Sequence, residues 1–281
     1  MSRVLSGVVL AAVFLAIVWF SSATVLLFVA LGVCVLVFQE YAHLMQQIGA
    51  DVPKLPTLLA TLAALAIVPF PYVAGEAVVG MGLIVIAVSV MARESAGLTP
   101  GPTPEAAETV VGLGFGQAIH AVAAGALSII YLGLPLGALV GVHIFGGRGA
   151  VILLIATVAI SDTAQYYAGR LAGRHPLAPR LSPKKTIEGA LGGLVAAPLF
   201  LYFVGPQLVP VAAPLTIAAV GVALVGAGIA GDLFESMLKR AANMKDSSAL
   251  IPGHGGMLDR IDALLFATPV FYLYLRWQYT V

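Results

Sequence analysis

Between residues 232 and 262 the chain reads DLFESMLKRAANMKDSSALIPGHGGMLDRID, and these residues carry nine of its 14 Lys and Arg and 13 Asp and Glu side chains. Asp232, Glu235, Ser236 and Lys239 are spaced 0, 3, 4 and 7 apart, which on a helix of about 3.6 residues per turn makes one stripe. Arg240, Lys245 and Asp246 extend the charge beyond it. Pro252-Gly-His254-Gly255-Gly256 then forms a turn whose backbone can approach a ligand closely. Asp259 and Asp262, with Arg260 between them, open a second helix about one turn apart. Carboxylates suit a hard divalent cation such as Mg²⁺, which keeps several waters and binds substrate phosphates. Lys and Arg suit phosphate oxygens, and so does a helix N-terminus. Together these groups are what phosphoryl or nucleotidyl transfer asks for, since that chemistry is mostly positioning and charge stabilisation. The competing reading is an ion-pair network that anchors two helix ends at a membrane surface.

The membrane enters because both ends of this stretch run into long apolar segments. The chain of 281 residues is 60% hydrophobic and 10% charged, with a mean hydropathy of +1.02. A soluble domain carries about 25% charged residues, so the class is a multi-spanning membrane protein. Ionisable groups at the edge of a span are costly to place and mark function by default. Spans of about 20 apolar residues are read at 4–20, 23–38, 57–70, 74–91, 109–145, 150–171, 186–204, 215–237 and 261–279. The expected fold is all-α and polytopic, with about nine transmembrane helices in one integral-membrane domain over 1–281. Arg3, an apolar run and Ser-Ser-Ala also fit a signal peptide, but the run is long and a second span follows at once.

Residues 39–56, with Glu40, His43, Asp51 and Lys54, read as a polar connector, as do 92–108. The block 109–145 is too long for one upright span and is expected to bend near Pro135, a helix plus a re-entrant piece being the alternative. With a cytoplasmic N-terminus, 12 of the 14 Lys and Arg fall on the cytoplasmic side, and only Arg148 and Arg276 fall outside. That places the charged helix ends, and the expected active site, at the cytoplasmic face of the cell (inner) membrane. Cys34 lies inside an apolar run and can form no internal disulfide.

The run from Ser236 through Lys239-Arg240, Lys245-Asp246, Ser248, Pro252, His254-Gly255-Gly256 and Asp259-Arg260-Ile-Asp262 resembles the signature of the phosphatidate cytidylyltransferases, the CDP-diacylglycerol synthases of CdsA type. A second stretch is similar to the family's other polar segment: Ser161-Asp162-Thr163-Ala-Gln165 to Gly169-Arg170, then Ser182-Pro-Lys184-Lys185-Thr186-x-Glu188-Gly189. Gln165 stands where the family has a small residue. The resemblance covers 151–281; the first 150 residues match only in being hydrophobic.

The resemblance implies that CTP and phosphatidic acid give CDP-diacylglycerol and pyrophosphate in phospholipid synthesis. It makes Asp232 and Asp259 the Mg²⁺ ligands, with room for a second cation such as K⁺, and it places Asp246, Asp262 and Lys239 with them in the catalytic group. Ser236, Arg240, Lys245, His254, Gly255, Gly256, Arg260, Asp162, Arg170, Ser182, Lys184 and Lys185 become substrate contacts. Ser182 or Thr186 would cap the helix behind the lysines. The partners implied are CTP, phosphatidic acid and the bilayer, with no nucleic acid; a homodimer stays open. Within the same chemistry the alternatives are a CTP-dependent polyprenol kinase and an ether-lipid cytidylyltransferase. The Asp-Gly-x2-Ala-Arg motif of CDP-alcohol phosphotransferases is absent. An ion-coupled transporter would use Asp162, Asp232 and Asp259 as coupling sites, yet has no role for the Gly-His-Gly-Gly turn.

Overall fold

The computed structural model describes residues 19–20, 22–70, 75–95, 107–209, 213–248 and 255–280. The first expected span lies almost wholly outside them, and so does His254. Helix α1 is Ala23–Gln47, with the Ser22 hydroxyl accepting from the Val25 N–H at 3.3 Å. Helix α2 is Lys54–Ile67, entered through Pro53, and α3 is Gly75–Ser95. Helix α4, Ala107–Ser128, passes through a π turn at Ile129–Gly133 into α5, Leu134–Ala172. Helices α6 (Ile187–Leu208), α7 (Pro214–Ala241) and α8 (Leu258–Thr280) complete the chain. Among the described residues, five helical segments are long and apolar enough to cross a membrane. Large apolar side chains such as Phe28, Met91, Val195 and Leu215 point outward, as suits a multi-pass membrane protein whose outer face meets lipid.

Three sequence expectations are corrected. The first concerns the connector 39–56: α1 runs on to Gln47, so Glu40 and His43 are helical. The helix continues past its apolar part because Glu40 is buried and fully hydrogen-bonded, as shown below. The second concerns the long block, whose irregularity begins at Ile129, ahead of Pro135. Pro135 sits in the first turn of α5, where a missing N–H is tolerated. A second break, Gly147 at φ 70° and ψ −175°, falls in the gap read between the spans 109–145 and 150–171. It splits a helical stretch of 39 residues, ~58 Å long if straight and near twice the apolar thickness of a bilayer. The third is that the fold is not purely helical. Pro176–Ala178 (β1) and Ser182–Thr186 (β2) pair as an antiparallel hairpin, Pro176 opposite Thr186 and Ala178 opposite Ser182.

Small residues let the long helix press on its neighbours. A Cβ at Gly133 would lie 2.7 Å from the Thr61 carbonyl oxygen, and one at Gly137 would lie 2.5 Å from that of Leu65. At Gly141 it would overlap the ring of Tyr272 on α8. This is the small-residue packing expected between membrane helices. The core they close includes an aromatic cluster: Tyr131 in the π turn stands 4.9 Å from Phe234, 6.0 Å from Phe266 and 6.2 Å from Tyr41, centroid to centroid. Tyr41 donates to the Ala124 carbonyl oxygen at 2.7 Å, fixing α1 against α4.

Candidate active site

The stripe on α7 is formed as the spacing predicts, and it meets two partners. On one side stands the hairpin. Thr186 caps α6, its hydroxyl accepting from the Gly189 N–H at 3.1 Å. Ser182, the other candidate cap, is in strand β2 instead. Glu188 fastens the hairpin by accepting from the backbone N–H groups of Arg174 and His175 at 3.1 and 3.3 Å. The hairpin thereby aims Lys185 at α7, where its ammonium lies 2.5 Å from Asp232 Oδ2. Asp162 and Asp262 are within electrostatic reach of Asp232. The Gln165 amide donates to the Ser161 hydroxyl at 3.0 Å and, weakly, to Asp162. Gly193 on α6 makes room for it, which is how the fold accommodates that departure from the family pattern.

On the other side stands the loop between α7 and α8. Lys239 Nζ lies 2.5 Å from Glu235 Oε2 and 2.5 Å from Asp259 Oδ1, tying the two helices together. Asp259 Oδ2 accepts from the Ser247 N–H at 2.9 Å, the Ser247 hydroxyl at 2.8 Å and the Gly256 N–H at 2.8 Å. Burial works against the charge of Asp259, which lies ahead of the apolar run of α8. Hydrogen bonds from the Glu235 carboxyl, Lys239, Gly256 and Ser247 outweigh burial and hold Asp259 well below the usual carboxylate range. Gly255 has φ +80°, in the left-handed region.

The sequence singled out neither Glu235 nor Glu40 as site residues. Glu235 is 1% exposed and lies in the stripe, but the family signature starts one residue after it. Glu40 is 6% exposed and reaches the same loop from α1. Its Oε1 accepts from the Ser248 hydroxyl (2.6 Å) and the Met257 N–H (2.9 Å). Its Oε2 accepts from the Ser247 hydroxyl (3.1 Å) and the Leu258 N–H (2.7 Å). These amides are among the unpaired donors at the start of α8. Nothing local in the sequence around Glu40 signals this, since its partners lie 207 to 218 positions away.

The structure thus joins Lys185 and Ser236 to Asp232, and Lys239 to Asp259, with Asp162 and Asp262 within electrostatic reach of Asp232. Gly255 and Gly256 line the loop against Asp259. Lys184, Arg240, Lys245, Asp246 and Arg260 are exposed around the site. Arg170 turns toward the Tyr166 hydroxyl at 3.3 Å. A cleft of about 500 Å³ lined by Asp51, Val52, Pro53, Lys54, Pro56, Ser89 and Arg93 contains none of the expected site residues.

The match to a family model, described as the cytidylyltransferase family, runs over residues 1–278. The chain belongs to the cytidylyltransferase family. Among curated relatives, a phosphatidate cytidylyltransferase of Pseudomonas aeruginosa is 46% identical over 125 residues, 44% of this chain and 46% of the relative. One from Haemophilus influenzae is 43% identical over 130 residues, 44% of this chain and 45% of the relative. An uncharacterised protein of Escherichia coli, YnbB, is 40% identical over 135 residues, 48% of this chain and 45% of the relative. The chain spans about half the length of the curated relatives it matches.

Proposed function

We propose that this cytidylyltransferase transfers the cytidylyl group of CTP to phosphatidic acid, giving CDP-diacylglycerol and pyrophosphate. The observation that carries the reading is that two lysines from different elements, Lys185 and Lys239, rest on Asp232 and Asp259. A phosphate oxygen of the lipid attacks the α-phosphorus, and the bond from that phosphorus to the oxygen bridging to the β-phosphate breaks. The electron pair leaves with pyrophosphate, so no enzyme nucleophile is required. Lys185 and Lys239, with Lys184 and Arg260 at the rim, bind the triphosphate and stabilise the charge that gathers on the leaving group.

Mg²⁺ fits this donor set. An ammonium on a carboxylate marks where positive charge is wanted: Asp232 Oδ2 and Asp259 Oδ1 each face one. Among the described residues no three acidic, His or Cys side chains form a ready-made cage, so an ion on these two carboxylates would complete its shell with water and substrate phosphates. Asp232 and Asp259 would hold it, and it would supply charge neutralisation at the phosphates. Asp262 and Asp162 are the carboxylates left for a second cation. With the N-terminus cytoplasmic, the site opens on the cytoplasmic side of the inner membrane, where CTP is available and the lipid headgroup lies at the surface.

Purified full-length protein given labelled CTP, phosphatidic acid and Mg²⁺ is expected to make labelled CDP-diacylglycerol, and to stop when the metal is chelated. Product only with a polyprenol would overturn the substrate. Lys185→Met keeps the length of the side chain and removes one charge-assisted hydrogen bond, a loss of about 1.5–3 kcal/mol. KM for CTP is therefore expected to rise about ten- to a hundredfold, and an unchanged KM would remove Lys185 from the triphosphate.

A further inference from the structure

We infer that Glu40 is a positioning residue of the reaction, acting on Asp259 through Ser247 and the turn at Gly255–Leu258. The inference rests on the activity proposed above, since it assigns a role within that reaction. Glu40 and Asp259 share the Ser247 hydroxyl, at 3.1 and 2.8 Å. They also hold successive parts of one turn, Asp259 taking the Gly256 N–H and Glu40 the Met257 and Leu258 N–H groups. A Cβ on Gly256 would stand 2.6 Å from Glu40 Oε2, so the turn and the carboxylate are fitted to each other. Among the described residues, the four hydrogen bonds to Glu40 come from neutral donors. A buried carboxylate is a costly way to close a helix end that a serine hydroxyl can cap. It is justified where both oxygens must hold two groups each in a fixed geometry, as supporting residues do for metal and catalytic ligands.

Glu40→Gln tests this with little change of size. The hydroxyls of Ser247 and Ser248 can turn and accept from the new amide, but a backbone N–H cannot. Either Met257 or Leu258 must then face the glutamine NH₂ group, and the turn shifts. Full-length wild type and Glu40→Gln are compared in one membrane mimic for kcat per folded molecule, KM for CTP, and hydrogen exchange of the amides at 256–258. We expect kcat to fall about ten- to a hundredfold, KM for CTP to move less than threefold, and exchange at 257 or 258 to quicken. Glu40→Ala, which removes all four bonds, is expected to lose at least as much kcat. A Glu40→Gln protein with wild-type kcat per folded molecule, or with unchanged exchange at 257 and 258, would overturn the role. So would a raised KM at unchanged kcat. Wild-type protein inactive on CTP and phosphatidic acid would instead overturn the proposed activity, and this role with it.

Discussion

Asp259→Asn is expected to reduce cytidylyl transfer by about a thousandfold while the protein still inserts and folds. Asparagine can present its oxygen where Oδ2 now accepts from Ser247 and Gly256. Its NH₂ group then meets the Lys239 ammonium, which now sits 2.5 Å from Oδ1. Two donors face each other there, and Lys239 is left with Glu235 alone. The loop keeps its shape while the carboxylate proposed to bind metal loses its charge. Wild-type turnover in the variant would remove Asp259 from the reaction. The pH dependence has a definite sign. Asp259 is held well below the ordinary carboxylate range, against burial and by its hydrogen bonds. Its contribution to stability is complete above the unfolded carboxylate value of about 3.9 and is lost only as pH falls further, through the folded value. An acid limb of the rate profile near neutrality would therefore belong to another group.

Gly256→Ala is expected to be damaging as well, less severely and by a different route. The new methyl group would overlap the Ser247 hydroxyl and stand 2.6 Å from Glu40 Oε2. Neither neighbour can give way cheaply. Ser247 is hydrogen-bonded to two carboxylates, and Glu40 is fixed by four donors. Overpacking of this kind costs about 1–3 kcal/mol, and the displaced turn carries the Gly256 N–H away from Asp259. We expect a lower thermal midpoint together with a loss of more than tenfold in activity. Gly226→Ala on α7, where a Cβ would meet nothing within 4 Å, is the matched control and is expected to behave as wild type. Equal behaviour of the two variants would show that the close approach at Gly256 is unimportant.

The site was legible wherever it was written locally. The stripe Asp232, Glu235, Ser236, Lys239 follows from helical spacing alone, and Thr186 is one of the two caps, with Ser182, that the sequence offers. The strands at Pro176–Ala178 and Ser182–Thr186 were not legible. They are three and five residues long, rich in Pro and Lys, and read as loop on propensity. Glu40 was misread because a carboxylate near the end of an apolar run looks like the start of a connector. Only the loop that folds onto it from the far end of the chain makes its burial affordable. The bend assigned to Pro135 shows the same limit. Proline is tolerated in a first helical turn, whereas the irregularity falls in the π turn at Ile129–Gly133 just ahead of it.

The aromatic cluster around Tyr131 has a consequence for the membrane as an electrical barrier. A charged, water-facing site cut into a bundle of membrane helices is half of an ion channel. If water continued past Asp232 and Asp262, cations drawn to those carboxylates would have a route across. Tyr41, Tyr131, Phe234 and Phe266 pack ring against ring, with Tyr131 and Tyr41 buried and Tyr131 within electrostatic reach of Glu235, Asp262 and Asp259. Such a cluster of rings would insulate the proposed reaction site, so that strong charge at the membrane's edge need not discharge a gradient across it.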